Sequence, residues 1–249
     1  MIWLAGRRWL KGVALLVLLV TGLAVMLSLP LTTLQGANFK VTAYRIPAYV
    51  KITDFVQRHF HYELLVARIC ARAASSRDCT FALFEWTHAN IRPTPAGWPI
   101  VDDHTLHIVI RGHGKDDQIA DVFTTLAVYA RVPAFFQFVK EPGMGKVLVL
   151  AFAYVDGRWV VFDVARQVLF RDRAGVPASV EQLVDNPDWV DQQTAGILPE
   201  GLPYSAFISR RTLMPFQAPK TLRPQLQQPW LRLRYEFRRA IGWEREPAR

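Results

Sequence analysis

A chain of 249 residues that is 51% hydrophobic and 20% charged can fill the core of one globular domain with an appendage, and general disorder is excluded. A net charge of +9 would suit nucleic acid, but the arginines are scattered and accompany no nucleic-acid-binding motif. Nucleic acid is therefore not an expected partner, and no cofactor is implied.

The appendage comes first. Residues 12–31, "GVALLVLLVTGLAVMLSLPL", carry no charge, and at about 1.5 Å per residue they span roughly the 30 Å of a bilayer core. Arg7, Arg8 and Lys11 precede them, so the positive-inside rule leaves residues 1–11 in the cytoplasm and carries the remainder across. A cleaved signal peptide competes with this anchor, but its apolar region is usually shorter, about 7 to 15 residues. The expected location is thus a bacterial inner membrane, crossed once, with the C-terminal domain periplasmic or extracellular.

Residues 32–47 read as a polar connector. From Val50 to Ala73 the apolar positions Phe55, Val56, Phe60, Leu64, Leu65 and Ile69 keep a helical rhythm, and Thr80 to Ala89 continues it after a turn. Cys70 and Cys79 flank that turn. In an oxidising compartment they would pair locally, and as buried thiols they would not; the spacing allows both. "NIRPTPAGWPIVDDH" then breaks the pattern with three prolines and a glycine, giving a long irregular segment of the kind that borders sites.

"TLHIVIRG" reads as a short extended stretch, followed by a helix from Asp116 to Ala130 whose acidic first turn suits the positive end of the helix dipole. Three strand-like runs follow at Ala134 to Val139, Lys146 to Val155 and Arg158 to Ala165. Asp156-Gly157 joins the last two in a hairpin, and "QVLFRD" extends the sheet. The fold class is α+β, helices first and an antiparallel sheet after, preceded by one transmembrane helix. Beyond Gly175 the chain is proline-rich and weakly periodic, with one helix at Ser179 to Asp185. No repeat and no second core are evident, so residues 48–228 form one expected domain. Residues 229–249 make a basic amphipathic helix: Trp230, Leu233, Phe237 and Ile241 share one side, with Arg232, Arg234, Arg238 and Arg239 largely on the other. Two arrangements fit it, a helix packed apolar-side-in on its own domain and a helix docked on a membrane surface or a partner.

The order helix, "RVPA" turn, strand, strand, "DGRW" hairpin, strand ending in Asp resembles the bacterial transglutaminase-like core, a relative of the papain-like cysteine proteases. The resemblance covers about Thr80 to Phe170. It implies a thiol at the helix start, lowered in pKa by the dipole and a histidine partner, that attacks an acyl carbon. Aligned on "GKDDQIA", that slot holds Asp116; the histidine slot falls on Leu148; only Asp163 in "VVFDV" matches. An aspartate that would orient an imidazole leaves little catalysis once its partners are gone. The resemblance therefore implies a degenerate triad in which Asp116, Leu148 and Asp163 still converge, Leu148 among apolar neighbours and Asp163 on a hydrogen-bond donor. It also implies a setting in envelope or exopolysaccharide assembly, as a binding or accessory module whose partner is an envelope glycan or a membrane protein.

Other side chains could carry binding or a displaced hydrolase or transferase site. Asp102, Asp103, His104, His107, His113, Asp116 and Asp117 fall within one stretch and include metal-ligand types, although on a strand His104 and His107 would face opposite ways. The alternative is a set of polar loop residues capping a helix and a strand end. Glu85 and His88 share a helix face beside Trp86. They form either a hydrogen-bonded structural cluster or a polar groove wall, to which Trp98 would add a stacking ring.

Overall fold

The computed structural model describes residues 2–102, 104–220 and 222–243. Helix α1 (Ile2–Ser28) is long, and its stretch Lys11–Ser28 is apolar enough to cross a membrane and is nowhere buried by the rest of the chain. It stops three residues short of the expected Leu31. Pro30 offers no N–H and pushes Leu29 out of helical backbone, so the chain turns there into a strand.

That strand corrects the connector. β1 (Pro30–Ala37) and β2 (Lys40–Pro47) form an antiparallel hairpin, with Ala37 opposite Lys40 across a two-residue turn. Asn38 and Phe39 in the turn both take positive φ, at 49° and 64°, the geometry that matches the twist of the strands. Phenylalanine is an unusual occupant, which is why the turn does not announce itself in the sequence. The hairpin leads directly into α2 (Ala48–Ile69), whose first amide donates to the Leu29 carbonyl at 2.9 Å.

α3 (Ser76–Asn90) is capped by Ser75, which accepts from the Asp78 amide, and Cys79 on its first turn is disulfide-bonded to Cys70 at the end of α2. The irregular segment that follows is held by short pairings. β3 (Arg92–Pro93) runs parallel to β5 (His113–Gly114), and β4 (Val101–Asp102) pairs with β1. Between β4 and β5 the expected extended stretch is instead α4 (Thr105–Arg111), closed by Gly112 at φ 70°. Thr105, Leu106 and Ile108 are buried and α4 packs on the next helix, so tertiary contact overrides the β preference of "HIVI".

α5 (Asp116–Tyr129) is the central helix, packed against α3, α4 and a four-stranded antiparallel sheet. The sheet comprises β6 (Ala134–Lys140), β7 (Val147–Val155), β8 (Arg158–Asp163) and β9 (Val168–Leu169), paired in that order. Asp156 and Gly157 turn β7 into β8 with positive φ, as their sequence requires. Strand β9 is shorter than "QVLFRD" implied.

The expectation of one core is corrected. On one face of the sheet, Phe123 and Leu126 of α5 and Phe84 of α3 pack with Ala151, Ala153 and Phe162. On the other, Leu148, Leu150, Phe152 and Val161 pack with Tyr204, Phe207 and Leu213. The second layer comes from the proline-rich segment, through α6 (Val180–Val184), α7 (Pro187–Gln193) and α8 (Arg210–Leu213). Burial on both sides explains why β7, "VLVLAFAYV", is apolar nearly throughout.

α9 (Pro229–Ala240) closes the described chain. Its start is pinned by Tyr129, whose hydroxyl donates to the Gln227 carbonyl at 2.9 Å, and by Gln228, whose side-chain amide donates to the Val128 carbonyl at 3.3 Å. Tyr235 is buried while Trp230, Leu233, Phe237 and Ile241 are exposed. The apolar face therefore points outward, and the inward-packed arrangement is not the one adopted.

Candidate functional site

The start of α5 is fixed before any chemistry is considered. The Lys115 amide donates to Gln118 Oε1 at 3.1 Å, so Gln118 satisfies one of the orphan donors at the helix terminus. Gln118 also donates to the Val101 carbonyl at 2.6 Å. Arg111 joins the same group through Gln118 Oε1, the Val101 carbonyl and the His113 carbonyl. Asp116, the first residue of α5, is thereby held at a defined place with its side chain partly exposed.

At the other side of the site, β8 ends in Asp163 and the chain turns through residues 164–167 into β9. Asp163 caps that turn: its Oδ1 accepts the Arg166 amide at 3.1 Å. Its Oδ2 accepts the Arg166 guanidinium at 3.1 Å and the Tyr204 hydroxyl at 2.8 Å. The guanidinium continues to Asp116, where Nη2 lies 2.9 Å from Oδ2. Asp116 and Asp163 are thus brought to one arginine, in a line of carboxylate, guanidinium, carboxylate and phenol.

The electrostatics follow from burial. The Asp163 side chain is only 1% exposed, and desolvation pushes its carboxyl above the ordinary range, while Arg166 and the Tyr204 hydroxyl act in the opposite sense. Burial and the neighbouring carboxylate push the Tyr204 phenol far up, so it remains a donor. Chemically, the guanidinium cannot be deprotonated and the phenol is held protonated. The group neutralises the two carboxylates and fixes their positions.

Leu148, in the histidine slot, is buried on β7, in the same apolar layer as Tyr204. The β7–β8 register pairs Ala151 with Phe162, and Leu148 and Leu150 precede that pair on β7. Both leucines are buried in the apolar layer built by Tyr204 and Phe207, on the face opposite α5. No proton carrier stands beside Asp163 on β7. Both cysteines are consumed in the disulfide, so no free thiol exists.

The other predicted residues scatter. Trp86 packs against the first core, and His88 Nδ1 lies 3.2 Å from the Val164 carbonyl, one residue beyond Asp163. His104 precedes α4 and its ring lies 6.0 Å from that of His107; because the segment is helical, the two do not oppose each other as strand residues would. Trp98 is exposed and meets His113 edge-on at 5.2 Å, and His113 Nδ1 lies 3.4 Å from Thr94 Oγ1. Asp117 is partly buried and its carboxyl is raised by desolvation. Asp103 lies outside the described residues. Among the described residues, no three histidine, cysteine or acidic side chains are gathered as a metal site.

Sequence reasoning missed Arg166, Tyr204, Gln118 and Arg111. Arg166 had a signal, since a basic residue three positions beyond a strand-end aspartate can fold back on it. Tyr204 had none, because it lies 41 residues from Asp163 in a segment without periodicity.

From α5 to β8 the elements follow the order that the transglutaminase-like resemblance implies. No family model matches the chain, and no curated protein matches it. Among solved structures it is similar to a candidate cysteine protease from Cytophaga hutchinsonii, at 15% identity and a TM-score of 0.38, over 48% of this chain and 40% of that one. It is also similar to a candidate protease from Parabacteroides distasonis, at 9% identity and a TM-score of 0.35, over 53% of this chain and 35% of the other. A third similarity is to a TGase, at 13% identity and a TM-score of 0.33, over 57% and 45% of the two chains. The match spans less than half the length of each of these proteins.

Proposed function

We propose that this chain is a membrane-anchored, transglutaminase-like domain without acyl-transfer chemistry, serving as an extracytoplasmic binding or accessory module in envelope or exopolysaccharide assembly. The observation that carries the first half is Arg166, whose guanidinium pairs with both Asp116, the occupant of the thiol slot, and Asp163. With Leu148 in the histidine slot no base is supplied, and the permanent cation holds both remaining carboxylates in ion pairs. The disulfide supports a location outside the cytoplasm, where such pairs persist, and Arg7, Arg8 and Lys11 before α1 support an N-terminus inside. For binding, Trp98 and His113 are the rings available at the site loop, because Trp86 packs inward and His88 is engaged with backbone. An exposed indole beside an imidazole suits a sugar ring.

The test uses the full chain in detergent. Expected are no hydrolysis or transfer on amide and ester acyl donors, and retention on immobilised polysaccharide fragments that Trp98→Ala weakens. Turnover lost in Asp116→Asn would overturn this function in favour of a hydrolase or transferase with a displaced site; turnover lost on chelation would place a metal around His104 to Asp117.

A further inference from the structure

The structure assigns the outward face of α9 to the surface of the bilayer that α1 crosses, an assignment that rests on α1 being an anchor. Trp230, Leu233, Phe237 and Ile241 recur at intervals of three and four and fall on one side of the helix. They are 74%, 60%, 63% and 44% exposed, whereas Tyr235 on the opposite side is buried and Leu231 half-buried. The helix is therefore held to the domain by its minor face, and its major apolar face is uncovered. Arg232, Arg234 and Arg239 are exposed along the same helix.

Four large apolar side chains in a row, one of them tryptophan, with the exposed Arg234 at their edge and Arg232, paired with Glu236, on the far side, match the boundary between acyl chains and anionic headgroups. The placement of the helix favours lipid over a soluble partner. α2 begins at the end of the anchor, its first amide bonded to Leu29, and α2 in turn touches α9. Along its own outer side α2 carries a second uncovered stripe, Tyr49, Ile52, Val56 and Phe60, away from buried Tyr62. A tether of this kind holds the domain against the bilayer, so even weak docking of α9 is filled at the resulting effective concentration.

The experiment uses the full chain in phosphatidylcholine vesicles with and without phosphatidylglycerol. Because the native cysteines are paired, Phe237→Cys and Met144→Cys each provide a single site for a nitroxide, Met144 being an exposed residue between β6 and β7. Expected is a several-fold higher ratio of oxygen to nickel-chelate collisions at 237 than at 144, rising further with phosphatidylglycerol. Water-like access at 237, in chain that resists alkaline carbonate extraction, would overturn the docking while leaving the anchor standing. Dipolar broadening at 237 that vanishes on dilution with unlabelled chain would give the face to a second copy and overturn it equally. Extraction of the chain by carbonate would remove the anchor and the docking together.

Discussion

Asp163 accepts three hydrogen bonds, and Arg166 supplies two of them, so this arginine is the residue on which the site depends most. Arg166→Ala leaves a buried carboxylate short of its counter-ion and should cost on the order of 3 kcal/mol, measured by urea unfolding. Tyr204→Phe removes one hydrogen bond and should cost about 1–2 kcal/mol. Their double variant should lose less than the sum, since both act on the same oxygen. Asp121 gives the pH prediction. It accepts the Thr105 hydroxyl at 2.7 Å, and desolvation raises its carboxyl above the ordinary aspartate range. A carboxyl raised on folding holds its proton more tightly in the folded state, so its contribution is fully present below the unfolded value and is lost as pH rises through the folded one. Asp121→Asn keeps an acceptor for Thr105 and should flatten the decline of the melting temperature as pH rises above the ordinary aspartate range. A steeper decline in the variant would refute the assignment.

At the scale of elements, the β1–β2 hairpin ties the site loop to the anchor. The Asn38 amide donates to the Ile100 carbonyl at 2.7 Å, the Ile100 amide donates back to Asn38 Oδ1 at 2.9 Å, and Gly36 pairs with Asp102. A Cβ at Gly36 would lie 2.9 Å from Asp102 Cβ, too close to be accommodated without moving a strand. Gly36→Ala should therefore release β4 and raise amide exchange at Ile100 to Asp102, while exchange in β7 stays slow. Gly112→Ala forces a left-handed φ on an ordinary residue at the end of α4 and should cost about 1 kcal/mol. The two elements that sequence patterning misassigned, this hairpin and α4, share a cause. Neither has its own periodicity: one depends on a turn with Phe39 at positive φ, the other on packing against α5.

For the whole molecule, the Cys70–Cys79 bridge closes a short loop between α2 and α3, and replacing both cysteines by alanine should lower stability by about 2–3 kcal/mol. A phosphatase fused after Ala165 should be active in a bacterial host, as translocation of everything beyond α1 requires; an inactive fusion with a fluorescent cytoplasmic counterpart would reverse the orientation.

The sequence by itself determined whatever depends on near neighbours along the chain: a helix of membrane-spanning length, the α5 helix and its acidic start, the Asp156-Gly157 hairpin, the strands after it, and the absence of any cysteine past Cys79. These follow from period, turn chemistry and composition, which survive without tertiary context. The tertiary structure alone decided the rest. It placed Arg166 between Asp116 and Asp163, brought Tyr204 under the sheet, set Leu148 on the face away from α5, and turned the apolar side of α9 outward. Each of these depends on which surfaces meet across tens of residues, and a one-dimensional pattern fixes which side chains share a face without fixing what that face packs against.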